Sequence, residues 1–160
     1  MNNDVISFID ESINLELNVS YIYFIFYGLF PDDAKFWSDL VLEEKNHAAI
    51  FRSAKNVLTQ LKIFPHNLLH HNLQDLKDTN STLLSLIKSF KNTPPSREEA
   101  FNIALKVEIS AGELHFQDFM DEETNSEIVQ FFQKLNKNDK DHAMRIRSYM
   151  DNHGISVQPK

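Results

Sequence analysis

Two residue types that bind metal ions stand three positions apart in the chain, Glu44 and His47. On an α-helix, residues at this spacing are separated by about 300° of rotation and project side by side from neighbouring turns. A carboxylate and an imidazole placed in this way can bind one metal ion together. Taken alone, the pair is better explained as an ordinary surface pair, because Glu-x-x-His arises often by chance.

A second copy of the arrangement makes metal binding the stronger interpretation. Asp139 and His142 repeat the carboxylate-x-x-His pattern 95 positions later. Upstream of each copy lies a helix-like apolar segment that contains a glutamate: Glu16 in the first case and Glu108, 92 positions later, in the second. The chain therefore reads as two similar halves, each with a glutamate-bearing helix followed by a helix with a carboxylate-x-x-His.

Together these residues form a complete ligand set. One glutamate from each of two helices and a carboxylate-x-x-His from each of two others can hold a carboxylate-bridged pair of metal ions in a four-helix bundle. Four carboxylates balance the charge of two divalent cations, and oxygen with imidazole suits iron or manganese. We expect Glu44 and either Glu108 or Asp139 to bridge the metals. The predicted ligands are Glu16, Glu44, His47, Glu108, Asp139 and His142.

The alternative for Glu16 and Glu108 is that both are ordinary surface glutamates on amphipathic helices. Their neighbours argue against it, because the residues around Glu16 and around Glu108 are largely apolar in both halves. Burying carboxylates without a cation or a proton would be very costly. A metal ion, protonation or exposure must therefore compensate.

Two further side chains follow the predicted glutamate ligands by seven positions, Tyr23 after Glu16 and His115 after Glu108. Seven residues correspond to about 20° of rotation, so each lies on the same face as its glutamate, two turns on. Both are candidates to hydrogen-bond and orient a metal-binding carboxylate. Core packing is the alternative for each, with metal ligation a third for His115. A separate group, His66, His70 and His71, is expected to lie in a solvated loop.

Composition favours a single helical domain over residues 1–160. The chain has three Gly and five Pro, and 42% of its residues are hydrophobic, as long helices with few loops require. A net charge of −7 disfavours nucleic-acid binding. The absence of cysteine excludes disulfides and Cys-ligated zinc. No signal peptide is seen and the longest apolar run, 21–30, is too short to span a membrane, so we expect a soluble, cytoplasmic protein without a membrane partner.

The expected fold class is all-α, a four-helix bundle with a long crossover that contains a short helix between helices 2 and 3. Ser96 and Glu99 form a capping box at the start of helix 3, and Gly154 suits the stop after helix 4. The four main helices are expected to run from Asp4 to about Leu29, from an N-cap at Asp32 or Asp33 to about Ile63, from Ser96 to about Asp121, and from Asn125 or Ser126 to just before Gly154. The crossover helix is expected to begin at an N-cap, Asn80 or Ser81.

The first helix is apolar on nearly all sides from Tyr21 onward, which is more than one core face requires. Either this helix is central in a thick core, or its second apolar face is the contact of a homodimer. The sequence leaves both interpretations open.

Over residues 4–153 these patterns resemble the rubrerythrin branch of the ferritin-like family. The resemblance implies a four-helix bundle with a non-haem di-iron site that reacts with hydrogen peroxide or dioxygen. It implies that Tyr23 hydrogen-bonds and orients a carboxylate that binds the metal. The positions that match family ligands are Glu16, Glu44, His47, Glu108 and His142.

Three departures from the family pattern bear on function. Asp139 stands where the family has Glu, and its side chain is one methylene shorter. Ala111 occupies the position of a further glutamate ligand one turn after Glu108, and Glu113 cannot replace it because five residues rotate the side chain by about 140°. The cysteine-free chain also lacks the rubredoxin module, so electrons must come from a separate donor.

Three functions are compatible with these patterns. The first is a di-iron oxidoreductase that reduces hydrogen peroxide or oxidises ferrous iron with dioxygen, with two iron ions as its cofactor. The second is metal binding or storage without turnover, with manganese or zinc as alternative ions, which the replacements at Asp139 and Ala111 motivate. The third is an interaction bundle with a decayed metal site, motivated by the aromatic first helix.

Overall fold

The computed structural model describes residues 3–61, 73–111, 130 and 142–158, and in this part of the chain no strand is present. The all-α prediction is confirmed, and the helices are compatible with a ferritin-like helical bundle. Five α-helices have described bounds: α1 Asn3–Leu29, α2 Ala34–Leu61, α3 Leu73–Ser89, α4 Arg97–Ala111 and α5 His142–Asn152. None of these helices is long and apolar enough to cross a lipid bilayer.

The chain divides into two compact units, Met1–Thr93 and Pro94–Lys160. The boundary falls between the two halves that the repeated pattern predicts. In the first unit α1 packs along both α2 and α3, and in the second α4 packs against α5. The single domain over 1–160 stays a prediction.

A tight connection joins α1 to α2. Pro31 opens a 3-10 turn, Pro31–Asp33, where its missing N–H leaves no helical hydrogen bond unmade. The N–H of Asp33 donates to the carbonyl of Phe30 at 3.0 Å. Asp33, one of the two predicted N-caps, ends this turn and directly precedes Ala34, the first residue of α2, and its capping role stays a prediction. So short a connection makes α1 and α2 antiparallel neighbours.

A buried aromatic cluster fixes the register of α1 against α2. The indole of Trp37 stacks on Tyr23 with ring centroids 5.8 Å apart and meets Phe26 edge-on at 5.1 Å. All three side chains are fully buried. Phe26 also lies 5.7 Å from Phe90, just after α3, which brings the third helix to the same core. One turn from the cluster, the hydroxyl of Ser20 donates to the backbone carbonyl of Val41 at 3.1 Å.

The crossover helix α3 is longer than the sequence predicts. It begins at Leu73, so both proposed N-caps, Asn80 and Ser81, lie in its middle. There the Asn80 amide is buried, donates to the backbone carbonyl of Glu11 at 2.9 Å and accepts from the amide of Asn18 at 3.0 Å. A tertiary contact with α1, rather than a local cap, therefore explains an asparagine at this position.

The capping box at α4 is confirmed. The hydroxyl of Ser96 accepts a hydrogen bond from the N–H of Glu99 at 3.2 Å, and the carboxylate of Glu99 accepts one from the N–H of Ser96 at 2.7 Å. Hydrogen bonding from the backbone N–H of Ser96, and then from its side chain, holds the pKa of the Glu99 carboxyl below its usual value. Two backbone N–H groups at the start of α4, those of Ser96 and Glu99, therefore each have an acceptor in the side chain of the other residue.

The end of α5 is also as predicted. Gly154 adopts a φ of 63°, the left-handed conformation that only glycine enters at low cost. The N–H of Ile155 donates back to the carbonyl of Met150 at 2.9 Å, which completes a Schellman motif. The residues that follow are tied to α4, because the Asn102 amide donates to the carbonyl of Ser156 at 2.9 Å and accepts from the N–H of Gln158 at 2.7 Å.

The remaining predicted boundaries lie outside the described residues. These are the end of the second helix near Ile63, the end of the third near Asp121, and the start of the fourth at Asn125 or Ser126.

We expect Asn80→Ala to lower the free energy of unfolding by about 2 kcal/mol, because it removes a buried amide and leaves its part-buried partners on α1 without their hydrogen bonds. Urea denaturation measures the change. Ser81→Ala, an exposed substitution one position on, serves as the control and should stay within about 0.5 kcal/mol of wild type. An Asn80→Ala protein as stable as this control would contradict the assigned role.

Candidate metal centre

Three of the predicted ligands meet in the first unit. Glu16 projects from α1, and Glu44 and His47 project from neighbouring turns of α2. The imidazole Nδ1 of His47 lies 3.2 Å from a carboxylate oxygen of Glu44 and 3.4 Å from one of Glu16. One donor atom from each of the three residues falls within 4.8 Å of the others. Both carboxylates thus face the same ring nitrogen, which is the geometry of a candidate cation site.

The helices hold this cluster from two sides. Tyr23 follows Glu16 by seven residues and Trp37 precedes Glu44 by seven. In an antiparallel pair, these spacings place the Tyr23–Trp37 stack two turns from the carboxylates. On the other side lies an apolar cluster of Ile9, Ile13 and Ala48, with Leu17 and Phe51 packed against it. The side chains of Glu16 and Glu44 are therefore positioned by packing on both flanks.

Burial makes the cluster electrostatically unusual. The side chains of Glu44, Glu16 and His47 are only 4%, 12% and 13% exposed. Burial, reinforced by the neighbouring charge of Glu44, raises the pKa of Glu16 to about 8, and the hydrogen bond with His47 offsets only part of this shift. Two acidic groups held beside one another with little water favour a bound cation, which would compensate both charges. The donor set therefore fits a divalent metal ion.

The second unit contains a related but smaller cluster. Glu108 on α4 and His142 at the start of α5 are both buried, and a carboxylate oxygen of Glu108 lies 3.6 Å from Nδ1 of His142. Two turns away, Phe101 stacks on Tyr149 with ring centroids 5.3 Å apart. Again an aromatic pair, seven residues from each polar partner, sets the register of two antiparallel helices.

Some of the predicted site residues lie together in the structure, and others lie outside the described residues. The structure brings Glu16, Glu44 and His47 together in one unit and pairs Glu108 with His142 in the other. Asp139 lies outside the described residues, as do His115, His66, His70 and His71.

Tyr23 is fully buried, and its ring stacks on Trp37. Its predicted role in orienting a metal-binding carboxylate stays a prediction. Trp37 is a positioning residue that the pattern of metal ligands does not predict. Its spacing of seven residues before Glu44 was the available signal, the same spacing that drew attention to Tyr23.

Comparison with known proteins finds a ferritin. The chain is 27% identical over 96% of its length to "Ferritin-2, chloroplastic" of Arabidopsis thaliana, and it spans 61% of the length of that protein. No family model matches the chain. No solved structure matches it either. The similarity to a ferritin, together with the carboxylate–histidine cluster, supports the ferritin-like superfamily without singling out the rubrerythrin branch.

The raised pKa of Glu16 predicts how the metal-free protein responds to pH. Above pH 4.5 an unfolded Glu16 loses its proton, whereas the folded side chain keeps it until about pH 8. The folded state binds more protons in this window, so its stability should fall as the pH rises from 4.5 to about 8. Because one pKa unit corresponds to about 1.4 kcal/mol, the loss from this residue should amount to a few kcal/mol.

Chemical denaturation in the presence of a chelator, repeated across this pH range, measures the effect. Glu16→Gln should make stability much less dependent on pH. Glu98→Gln, which removes an exposed glutamate at the start of α4, controls for the loss of one negative charge from the chain. Equal pH dependence in wild type and Glu16→Gln would show that Glu16 is not the group responsible.

Proposed function

We propose that this chain is a non-haem iron protein of the ferritin-like type that binds two iron ions and reacts with hydrogen peroxide or dioxygen. The observation that carries the proposal is the cluster of Glu16, Glu44 and His47, where three donors converge in a buried site. The proposed ligands are those of the sequence prediction: Glu16, Glu44, His47, Glu108, Asp139 and His142.

The donor chemistry supports iron. Carboxylate oxygen and imidazole nitrogen suit iron or manganese, whereas the chain offers no thiolate for the softer ions. The similarity to a ferritin favours iron over manganese. Zinc stays an alternative, because it too accepts these ligands.

Charge balance supports two ions. Four carboxylates offset the charge of two divalent cations, and each of the two histidines can complete one ion. The first unit supplies two of these carboxylates and one imidazole. The second supplies the Glu108–His142 pair, to which the repeated pattern adds Asp139.

Two iron ions would supply the two electrons needed to reduce an O–O bond. The residues of the chain itself exchange a proton and limit the access of water. Glu16 holds a proton in the metal-free state up to about pH 8, so it must release that proton when it binds a cation. The apolar residues Ile9, Ile13 and Ala48 limit the access of water on one flank of the cluster. For catalytic peroxide reduction, we expect the electrons to come from a separate donor, since the chain has no cysteine to ligate a redox centre of its own.

The second candidate function is metal binding without redox turnover. The observation in its favour is Asp139, whose shorter side chain can leave one ion weakly held. The two functions differ in what happens to bound ferrous iron when an oxidant is added.

The first test is anaerobic titration with ferrous iron, with bound metal counted by elemental analysis. Wild type should bind two ions per chain, and both His47→Gln and His142→Gln should lose one of them. His153→Gln, which alters an exposed histidine in the second unit, is the control and should bind two. Binding should release protons below about pH 8 and tighten as the pH rises towards that value. A wild-type chain that binds no iron, or equal losses in all three variants, would refute the proposal.

The second test separates turnover from storage. Anaerobically loaded protein is mixed with hydrogen peroxide, and the remaining ferrous iron is measured with a colorimetric chelator. One peroxide should disappear for every two ferrous ions oxidised, faster than in the His47→Gln variant. Iron that binds at two ions per chain but stays ferrous under peroxide and under dioxygen would favour metal binding without turnover.

A further inference from the structure

Two distances in the cluster of Glu16, Glu44 and His47 have different physical origins. Nδ1 of His47 lies 3.2 Å from a carboxylate oxygen of Glu44, and because both residues project from α2, the geometry of one helix sets this distance. The 3.4 Å between the same nitrogen and an oxygen of Glu16 spans two helices. Donor atoms that bind one ion at about 2.0–2.2 Å lie roughly 3–3.5 Å from one another. The separation of α1 and α2 therefore decides whether Glu16 can share an ion with the other two ligands.

A side-chain hydrogen bond joins α1 to α2 beside this cluster. The hydroxyl of Ser20 donates to the backbone carbonyl of Val41 at 3.1 Å, and both residues are buried. Ser20 follows Glu16 by four residues and Val41 precedes Glu44 by three, so the bond joins the turns next to the two carboxylates. It therefore lies between the carboxylates and the buried aromatic cluster.

The direction of this hydrogen bond is unusual for a serine within a helix. Such a hydroxyl commonly donates to the carbonyl four residues before it in the same helix. Ser12, Ser53 and Ser85 do so, at 3.0, 3.0 and 2.9 Å. Ser20 instead donates to Val41 on the neighbouring helix. A contact between helices, rather than a local hydrogen bond, therefore accounts for the buried hydroxyl at position 20.

Ser20 also has the size that a close helix contact needs. It is 2% exposed, and its oxygen reaches the backbone of α2. Packed helix axes lie about 8–10 Å apart, depending on the side chains at the contact. Because protein interiors are closely packed, a larger side chain at this position would push the helices apart. An alanine would fit the space but would supply no hydrogen bond.

We propose that Ser20 is a positioning residue of the candidate metal centre. Its hydrogen bond to Val41 holds α1 against α2 at the separation that brings the Glu16 carboxylate to the ion. This inference rests on the proposed function, because it concerns an ion bound at the cluster. Groups that orient metal ligands without touching the metal contribute about 10–100-fold to metal affinity. Ser20 acts in this way through the helix that carries Glu16.

The first experiment measures Zn²⁺ affinity by isothermal titration calorimetry. The reference is the full chain with His142→Gln, which leaves the cluster of Glu16, Glu44 and His47 as the proposed site. The heat that persists after His47→Gln is added to this chain is subtracted as binding elsewhere. Ser20→Ala should weaken Zn²⁺ binding about 10-fold, while circular dichroism shows that the helices are kept.

Ser12→Ala is the matched control. Ser12 is buried like Ser20 and stands four residues before Glu16, as Ser20 stands four after it, but its hydrogen bond stays within α1. Its replacement should leave the Zn²⁺ affinity within about twofold of the reference. Unchanged affinity in Ser20→Ala, or equal weakening in the two variants, would overturn the inference alone. A reference chain that binds neither Zn²⁺ nor Fe²⁺ at the cluster would refute the proposed function, and the inference with it.

The second experiment separates the hydroxyl from the size of the side chain. Ser20→Thr and Ser20→Val add the same volume, but only Thr keeps a hydroxyl that can donate to Val41. Both variants should lose stability in urea, since each overpacks the contact. Ser20→Thr should nevertheless bind Zn²⁺ at least about 5-fold more tightly than Ser20→Val. Equal affinities in the two variants would show that the hydrogen bond does not position the ligand.

The third experiment tests whether Ser20 acts through Glu16. In a chain that also carries Glu16→Gln, Ser20→Ala should change the Zn²⁺ affinity by less than about twofold, because the ligand that Ser20 positions is already gone. Zn²⁺ is added at concentrations that saturate the weakened site. A loss as large as the one in the Glu16-containing chain would show that Ser20 supports the helix pair in general, which would contradict the assigned role.

Discussion

The structure depends on an electrostatically unfavourable arrangement in its first unit. The carboxyl groups of Glu16 and Glu44 lie side by side, largely away from water, next to the imidazole of His47. Burial and the charge of Glu44 both favour the neutral form of Glu16, which is why its pKa rises to about 8. Such a cluster persists only if the surrounding packing enforces it. Trp37, Tyr23 and Phe26 provide that packing, since all three are fully buried and join α1 to α2. The aromatic core and the polar cluster are thus two parts of one arrangement.

The same arrangement occurs in both units. In each, two antiparallel helices bring a carboxylate to a histidine, and an aromatic pair two turns away sets the register: Tyr23 with Trp37 in the first unit and Phe101 with Tyr149 in the second. The spacing is seven residues in all four cases, so each ring lies on nearly the same face as the polar side chain it supports. A small change in helix register would move rings and ligands together, which couples the geometry of the polar clusters to the packing of the core.

Much of this was accessible from the sequence because local rules apply to it. The capping box at Ser96 and the glycine stop at Gly154 follow from backbone chemistry within a few residues. The pairing of Glu44 with His47 follows from helix geometry, and the meeting of Glu16 with both follows from the repeated pattern.

What could not be predicted depends on contacts between distant residues. Asn80 looked like a helix cap because asparagine favours that position, but its partners, Glu11 and Asn18, lie more than sixty residues away. Local propensity predicts the most common role of asparagine, a helix cap, whereas tertiary packing gives Asn80 a different role.

The polar segment that follows α5, which contains Ser156 and Gln158, affects how the second unit unfolds. Asn102 binds the carbonyl of Ser156 and the N–H of Gln158, so the segment that follows α5 is tied to α4. Helix ends ordinarily fray one by one at almost no cost. Here the end of α5 cannot unravel far without also releasing the chain from α4. Amide protons at the end of α5 and in the segment after it should therefore exchange with solvent in a single concerted opening.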